Sequence, residues 1–298
     1  MVKRSVVILG LLGLVCAVAL PTASAAVLYQ DDFSSGKVKG FNGVVYIQAI
    51  DNLTVADPAN TAISTGHFKV QTDPTMTRNF GWLDGGDSGG IAESPGNDTD
   101  GTSAIAMLLT GDPKWADVAI QSRMASLDQN TGQMSLVLRA APKTKVTDPD
   151  SRYEFRYTTG NSTVLASEDR DGIAPPAGNP NLRIMKVVNG KWKMLAETDN
   201  DSQTKVHIPE VNAAGVDNDD VGAGDQSGKL TGMVLRFVAK GNVLTGYVLS
   251  KDGKTFQKIL EATDDELKAG LVGYSHYDYR PQFKDLLVQD APADPTVP

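Results

Sequence analysis

The sequence predicts an all-β protein, a sandwich of two antiparallel sheets that follows a cleaved N-terminal segment. Three observations predict it. Short runs alternate apolar and polar residues at a period of two, Gly, Asn and Asp cluster between those runs, and only one short stretch has a helical pattern.

The N-terminus reads as a signal peptide over residues 1–25. Lys3 and Arg4 supply positive charge, Val6 to Leu20 is almost wholly apolar, and Ala23 and Ala25 form a small-residue cleavage pattern. The apolar run is shorter than the roughly 20 residues a spanning helix needs. Val15 before Cys16, with apolar residues continuing beyond, does not fit a lipoprotein signal. The expectation is a secreted, periplasmic or cell-surface protein whose mature chain inserts in no membrane. Removing the signal removes Cys16, the sole cysteine, so the mature chain has no disulfide and no thiolate site.

Residues 26–290 are expected to form one sandwich, a size that all-β domains reach. In Asp117 to Met124, Val118, Ile120 and Met124 alternate with Asp117, Gln121 and Arg123. Met134, Leu136 and Leu138 oppose Ser135 and Arg139, and Tyr153, Phe155 and Tyr157 oppose Glu154 and Arg156. Each pattern suits a half-buried strand with one apolar face. Leu182 to Val188 and Trp192 to Thr198 flank Asn189-Gly190, a pair that tolerates the positive φ angles of a type I′ hairpin turn. Leu235 to Ala239 and Val243 to Leu249 flank Lys240-Gly241-Asn242, and a further hairpin joins Val243 to Ser250 with Thr255 to Glu261. Asp264 to Ala269 reads as a turn or two of helix. By composition Asp84 to Gly101, Asp169 to Asn181 and Ala213 to Gly228 are loops, where binding residues tend to sit. Residues 291–298 read as a Pro/Ala-rich tail.

The formal charge of −8, with acids grouped as in Asp217 to Asp220, argues against a nucleic-acid partner, which requires a basic face. It suits calcium, solubility and a glycan partner.

An ordered series of landmarks adds to this reading. Asp31-Asp32-Phe33 opens it, followed by Lys114-Trp115-Ala116-Asp117-Val118, Leu136 to Arg139, Tyr153-Glu154-Phe155 and Gly190-Lys191-Trp192. Gly270-Leu271-Val272-Gly273-Tyr274 and Phe283-Lys284-Asp285-Leu286-Leu287-Val288 close it. The series resembles the secreted bacterial concanavalin A-like jelly rolls of the laminin G-like and glycoside-hydrolase-16-like kind. The resemblance implies a concave sheet face that holds carbohydrate. It also implies a structural calcium between the opening acid and the closing strand, which in this chain are Asp32 (or Asp31) and Asp285. A hard cation takes several oxygens and would clip the terminal strands of a thiol-free fold.

The candidate carbohydrate residues are Tyr274, His276, Tyr277 and Tyr279, with Arg139 and Arg156 on neighbouring strands. Aromatic faces stack on sugar rings, and His and Arg hydrogen-bond hydroxyls. The expected function is therefore a carbohydrate-binding sandwich recognising a polysaccharide. Alternatives are an extracellular polysaccharide lyase or glycan hydrolase on the same fold, or an adhesion module. For a lyase, Tyr277 and His276 have base and acid chemistry, and Arg139 and Arg156 would neutralise a uronate. The paired carboxylates of a family-16 hydrolase are not matched, since Glu168-Asp169-Arg170-Asp171 has the wrong spacing. Gly86-Asp87-Ser88-Gly89-Gly90 imitates a serine-protease motif, but only His67 precedes it in the mature chain and there is no room for a first barrel. Asn97 to Gly101 imitates part of an EF-hand loop, but Met107 stands where the bidentate Glu belongs.

Overall fold

The computed structural model describes residues 25–32, 40–42, 44–49, 52–56, 68–71, 80–83, 105–126, 133–142, 148, 150–158, 181–198, 233–250, 253–277 and 281–291. The signal-peptide reading of 1–24, the tail 292–298 and the loops read over 84–101, 169–180 and 213–228 lie outside the described residues.

Every regular element among the described residues is a strand. In chain order they are β1 (Val27–Asp31), β2 (Val45–Ala49), β3 (Asn52–Ala56), β4 (Phe68–Gln71), β5 (Phe80–Leu83), β6 (Ile105–Thr110), β7 (Val118–Ser126) and β8 (Gln133–Ala140). They continue with β9 (Arg152–Thr158), β10 (Asn181–Val188), β11 (Lys191–Glu197), β12 (Met233–Lys240), β13 (Val243–Leu249), β14 (Phe256–Thr263), β15 (Leu271–Tyr277) and β16 (Pro281–Asp290).

These strands make two eight-stranded antiparallel sheets, the layered arrangement of a jelly-roll sandwich. The first runs β14-β13-β12-β7-β16-β5-β4, with β1 also on β16. The second runs β11-β10-β9-β8-β15-β6-β2-β3. β16 ties the chain ends together: Gln282 and Phe283 pair with β5, Leu286 to Gln289 pair with β1, and β7 pairs along the strand.

Period-two alternation builds the core. Val118, Ile120 and Met124 of β7 and Leu235 and Phe237 of β12 meet Met134, Leu136, Leu138, Tyr153, Phe155 and Tyr157 of the second sheet. Each large apolar side chain buried this way contributes roughly 1.5–3 kcal/mol. A polar link crosses this layer where the Tyr274 hydroxyl donates to Ser122 Oγ at 2.8 Å.

The hairpin expectations hold. Asn189 and Gly190 have φ of 52° and 76°, and β12 turns into β13 through Gly241 at φ 57°. Asp264 to Ala269, expected as helix, contains none. The Asp264 carboxylate accepts from the Tyr153 hydroxyl, from Lys186 and from the Glu266 amide, while the Leu267 amide donates to the Tyr153 oxygen at 3.0 Å. Side-chain partners on β9 and β10 thus take the groups that a helical turn would have used.

Gly246 of β13 tests the packing. A Cβ there would meet three Phe155 ring atoms at 2.4–2.8 Å, and the ring is wholly buried beside Phe237. Gly246→Ala is expected to lose about 1–3 kcal/mol in urea denaturation by overpacking. In a cycle with Phe155→Leu, which frees space, the two costs should sum to more than the double variant loses. Strict additivity would show that the ring is not the obstacle.

Candidate functional site

Strand alternation turns Arg152, Glu154 and Arg156 of β9 away from the core, onto the outer face of the second sheet. Such positions ordinarily face water. Here all three are at most 1% exposed. Register places Ser135 of β8 opposite Arg156, and Ser275 of β15 opposite Ser135. On the other side Arg183 lies opposite Arg156, and Met185 opposite Glu154.

Five hydrogen bonds converge on the Glu154 carboxylate. Oε1 accepts from Arg152 Nε at 2.5 Å and Ser275 Oγ at 2.8 Å, and Oε2 accepts from Arg156 Nη2 at 2.7 Å, Arg156 Nε at 3.0 Å and Ser135 Oγ at 3.2 Å. Arg152 is also paired with Asp150, and Arg183 Nε donates to Glu197 at 2.7 Å. Trp192 of β11 roofs the pair, its ring centroid 4.9 Å from the Arg152 guanidinium carbon and 4.3 Å from that of Arg156. The indole is only partly buried and rests on an apolar patch of Met107, Leu109, Val137, Ala140 and Leu271.

Burial alone would push the Glu154 carboxyl up. The two guanidiniums and their hydrogen bonds outweigh it and hold the group at about 2. Glu154 therefore stays ionised at neutral pH, its lone pairs committed, and is an anchor rather than a proton shuttle. Among the described residues Arg152 Nη2 has no hydrogen-bond partner, which leaves a buried donor in the middle of the cluster.

Of the residues expected to bind sugar, the structure puts Arg156 in this cluster. Arg139 goes elsewhere. The register of β15 on β8 shifts between Leu271 and Gly273, and Arg139 takes a φ of 51° beside that bulge. Its guanidinium donates to the carbonyls of Ala116, Leu267 and Gly241 at 2.8–2.9 Å, binding loops at one end of the sandwich. Tyr274 also differs from expectation. It faces the core, is 1% exposed, and its phenol is pushed well up by burial. Neither residue is placed to touch a ligand on this face. His276 and Tyr277 end β15 opposite Met134 and Gln133, and Tyr279 lies outside the described residues.

Near the chain ends, β1 pairs with β16 through Asp31 and Leu286, so continuing the register by one residue sets Asp32 opposite Asp285. Asp285 has a φ of 56° where the register of β16 on β7 shifts, and both residues are exposed. Asp31 is the buried acid of this corner, accepting from the Tyr29 hydroxyl at 3.2 Å. Among the described residues no three His, Cys, Asp or Glu side chains gather as metal ligands.

The serines, Arg152 and Trp192 escaped the sequence reading. The available signal was Arg-x-Glu-x-Arg on one face of a strand, with charges of opposite sign two residues apart.

No protein-family model matches the chain, and no curated protein matches it. Solved structures resemble it distantly. The carbohydrate-binding module CBM66 from Bacillus subtilis is 14% identical over 62% of this chain and 81% of its own, with a TM-score of 0.37. A Bacillus subtilis protein of unknown function with a galectin-like fold is 10% identical over 90% of this chain and 97% of its own, at 0.47. The exoplasmic/lumenal domain of VIP36, in a Ca²⁺/Man3GlcNAc-bound form, is 11% identical over 90% and 92%, at 0.40. At such scores these likenesses say nothing about what this chain binds; its own strand order and register define the sandwich.

The ionised state of Glu154 sets a pH dependence. Its folded pKa of about 2 lies below the ordinary 4.5, so its stabilisation is complete above about pH 4.5 and is lost as pH falls toward 2. Glu154→Gln, which removes the anion that two buried cations share, is expected to cost about 3–5 kcal/mol at pH 7. Urea melts at pH 7 and pH 3 should show the gap between wild type and variant narrowing at the lower pH. A gap that is small at pH 7 and constant with pH would contradict this.

Proposed function

We propose that this protein is a secreted carbohydrate-binding sandwich that takes a polysaccharide on the outer face of its second sheet, at Trp192. The observation that carries the proposal is a partly exposed indole fixed over two guanidiniums, which are themselves locked by a buried carboxylate. The apolar face of an aromatic ring matches the CH face of a sugar, and a rigid polar base orients the hydroxyls. The guanidiniums of Arg152 and Arg156 lie beneath the ring and hold it in place for a sugar on its outward side. Because Arg152, Glu154 and Arg156 are fixed by one another before any ligand arrives, little ordering cost remains at binding.

A calcium ion between Asp32 and Asp285 belongs to the same reading. The β1–β16 register and the turned backbone at Asp285 fit such a clip. Two carboxylates are fewer than the six to eight oxygens calcium takes, so backbone carbonyls or water would complete the shell. The ion would join the two ends of the folded chain.

Glycan-array binding with and without a chelator, set beside melting curves, tests both parts. Wild type is expected to bind a restricted set of polysaccharides, and Trp192→Ala to lose more than tenfold in affinity. The chelator should lower the melting temperature of wild type and leave Asp285→Asn unchanged. Glycan binding that survives Trp192→Ala would remove the proposed face, and a melting curve indifferent to calcium would remove the clip.

A further inference from the structure

A further buried arginine lies on the other sheet. In β12, Leu235 and Phe237 face the core, so Arg236 points to the outer face of the first sheet. It is 1% exposed. Unlike Arg152, Arg156 and Arg183, it has no carboxylate partner among the described residues. Nη1 donates to the side-chain oxygens of Gln289 at 2.9 Å and Gln121 at 3.1 Å, and the guanidinium carbon sits 5.9 Å from the Phe256 ring centroid. Among the described residues Nε and Nη2 have no hydrogen-bond partner.

The two idle atoms are the informative detail. Nε and Nη2 form one edge of the guanidinium, and their parallel N–H groups match the two oxygens of a carboxylate held side-on. The two glutamines occupy the other side and fix the plane. A buried cation with two unmet donors is costly, and burial holds Arg236 down at about 10, with no carboxylate to raise it. Gln289, Tyr247 and Phe256 around it are partly exposed, while Nε and Nη2 themselves are buried, so a ligand enters only where these side chains turn aside.

We infer that Arg236 anchors a second ligand site, distinct from the Trp192 face, which takes the carboxylate of a small organic or sugar acid side-on through Nε and Nη2. Phe256 forms an apolar wall, and Gln121 and Gln289 hold the fork in place. A neutral sugar, lacking the second oxygen and the charge, would not satisfy this edge.

The test is calorimetric titration of the full mature chain with glucuronate, acetate and the neutral analogue glucuronamide. Saturable binding of glucuronate, at least tenfold tighter than glucuronamide, is expected. Acetate binding as tightly as glucuronate would assign the site to carboxylates in general, and weaker acetate binding to acidic sugars; both support a carboxylate site. Arg236→Lys, which keeps the charge and loses the fork, should weaken glucuronate at least tenfold, whereas Trp192→Ala should leave it unchanged. No saturable glucuronate binding, equal binding of glucuronamide, or loss in Trp192→Ala with retention in Arg236→Lys would overturn the inference. The wild-type comparison of acid with amide needs no variant to fold.

Discussion

A single ionised carboxylate, Glu154, organises the outer face of the second sheet. Taking a carboxylate and two guanidiniums out of water costs several kcal/mol per ion before any pairing. The structure offsets this by giving Glu154 five donors and by setting the two arginines two residues to either side on the same strand. Remove the anion and Arg152 and Arg156 repel each other beneath Trp192; remove either arginine and the carboxylate loses what holds it ionised. A buried pair of this kind is weak evidence for stability in itself, because apolar residues of similar volume often do as well. Its distinguishing property is rigidity, which a binding face needs and a plain core does not.

The remaining polar contacts serve the sandwich. Arg139 gathers three carbonyls from separate loops at one end. Asp264 holds the segment before β15 to β9 and β10 through Tyr153 and Lys186. Tyr274 and Ser122 link the sheets through the core. These contacts fix how the layers sit, and so fix where Trp192 stands over β9. Arg236 differs from the other buried arginines: among the described residues it has no carboxylate partner and two of its three guanidinium nitrogens have no hydrogen-bond partner.

Core-facing positions were readable because alternation reports them directly. Tyr153, Phe155 and Tyr157 sit between the sheets as their spacing required, and Asn189-Gly190 turns as its chemistry required. The opposite set was misread for a physical reason: whether an outward residue meets water depends on what distant chain packs over it, and no local pattern encodes that. Glu154 and Arg156 therefore read as solvent-facing. A bulge misplaced Arg139, since one extra residue in a strand redirects the side chains near it. Tyr274 was grouped with His276 and the tyrosines that follow, although Val272 and Tyr274 continue the core stripe of β15. In Asp264 to Ala269 local helical propensity lost to side-chain partners on β9 and β10.

The most direct measurement is the carboxyl ¹³C shift of Glu154 followed by NMR through an acid titration, with Glu154→Gln assigning the signal. Glu154 should show no titration from pH 7 down to pH 3 while exposed carboxylates move. A shift with a midpoint near the ordinary 4.5 would mean that the carboxylate is not held by its arginines, and the organisation of the whole face would be contradicted.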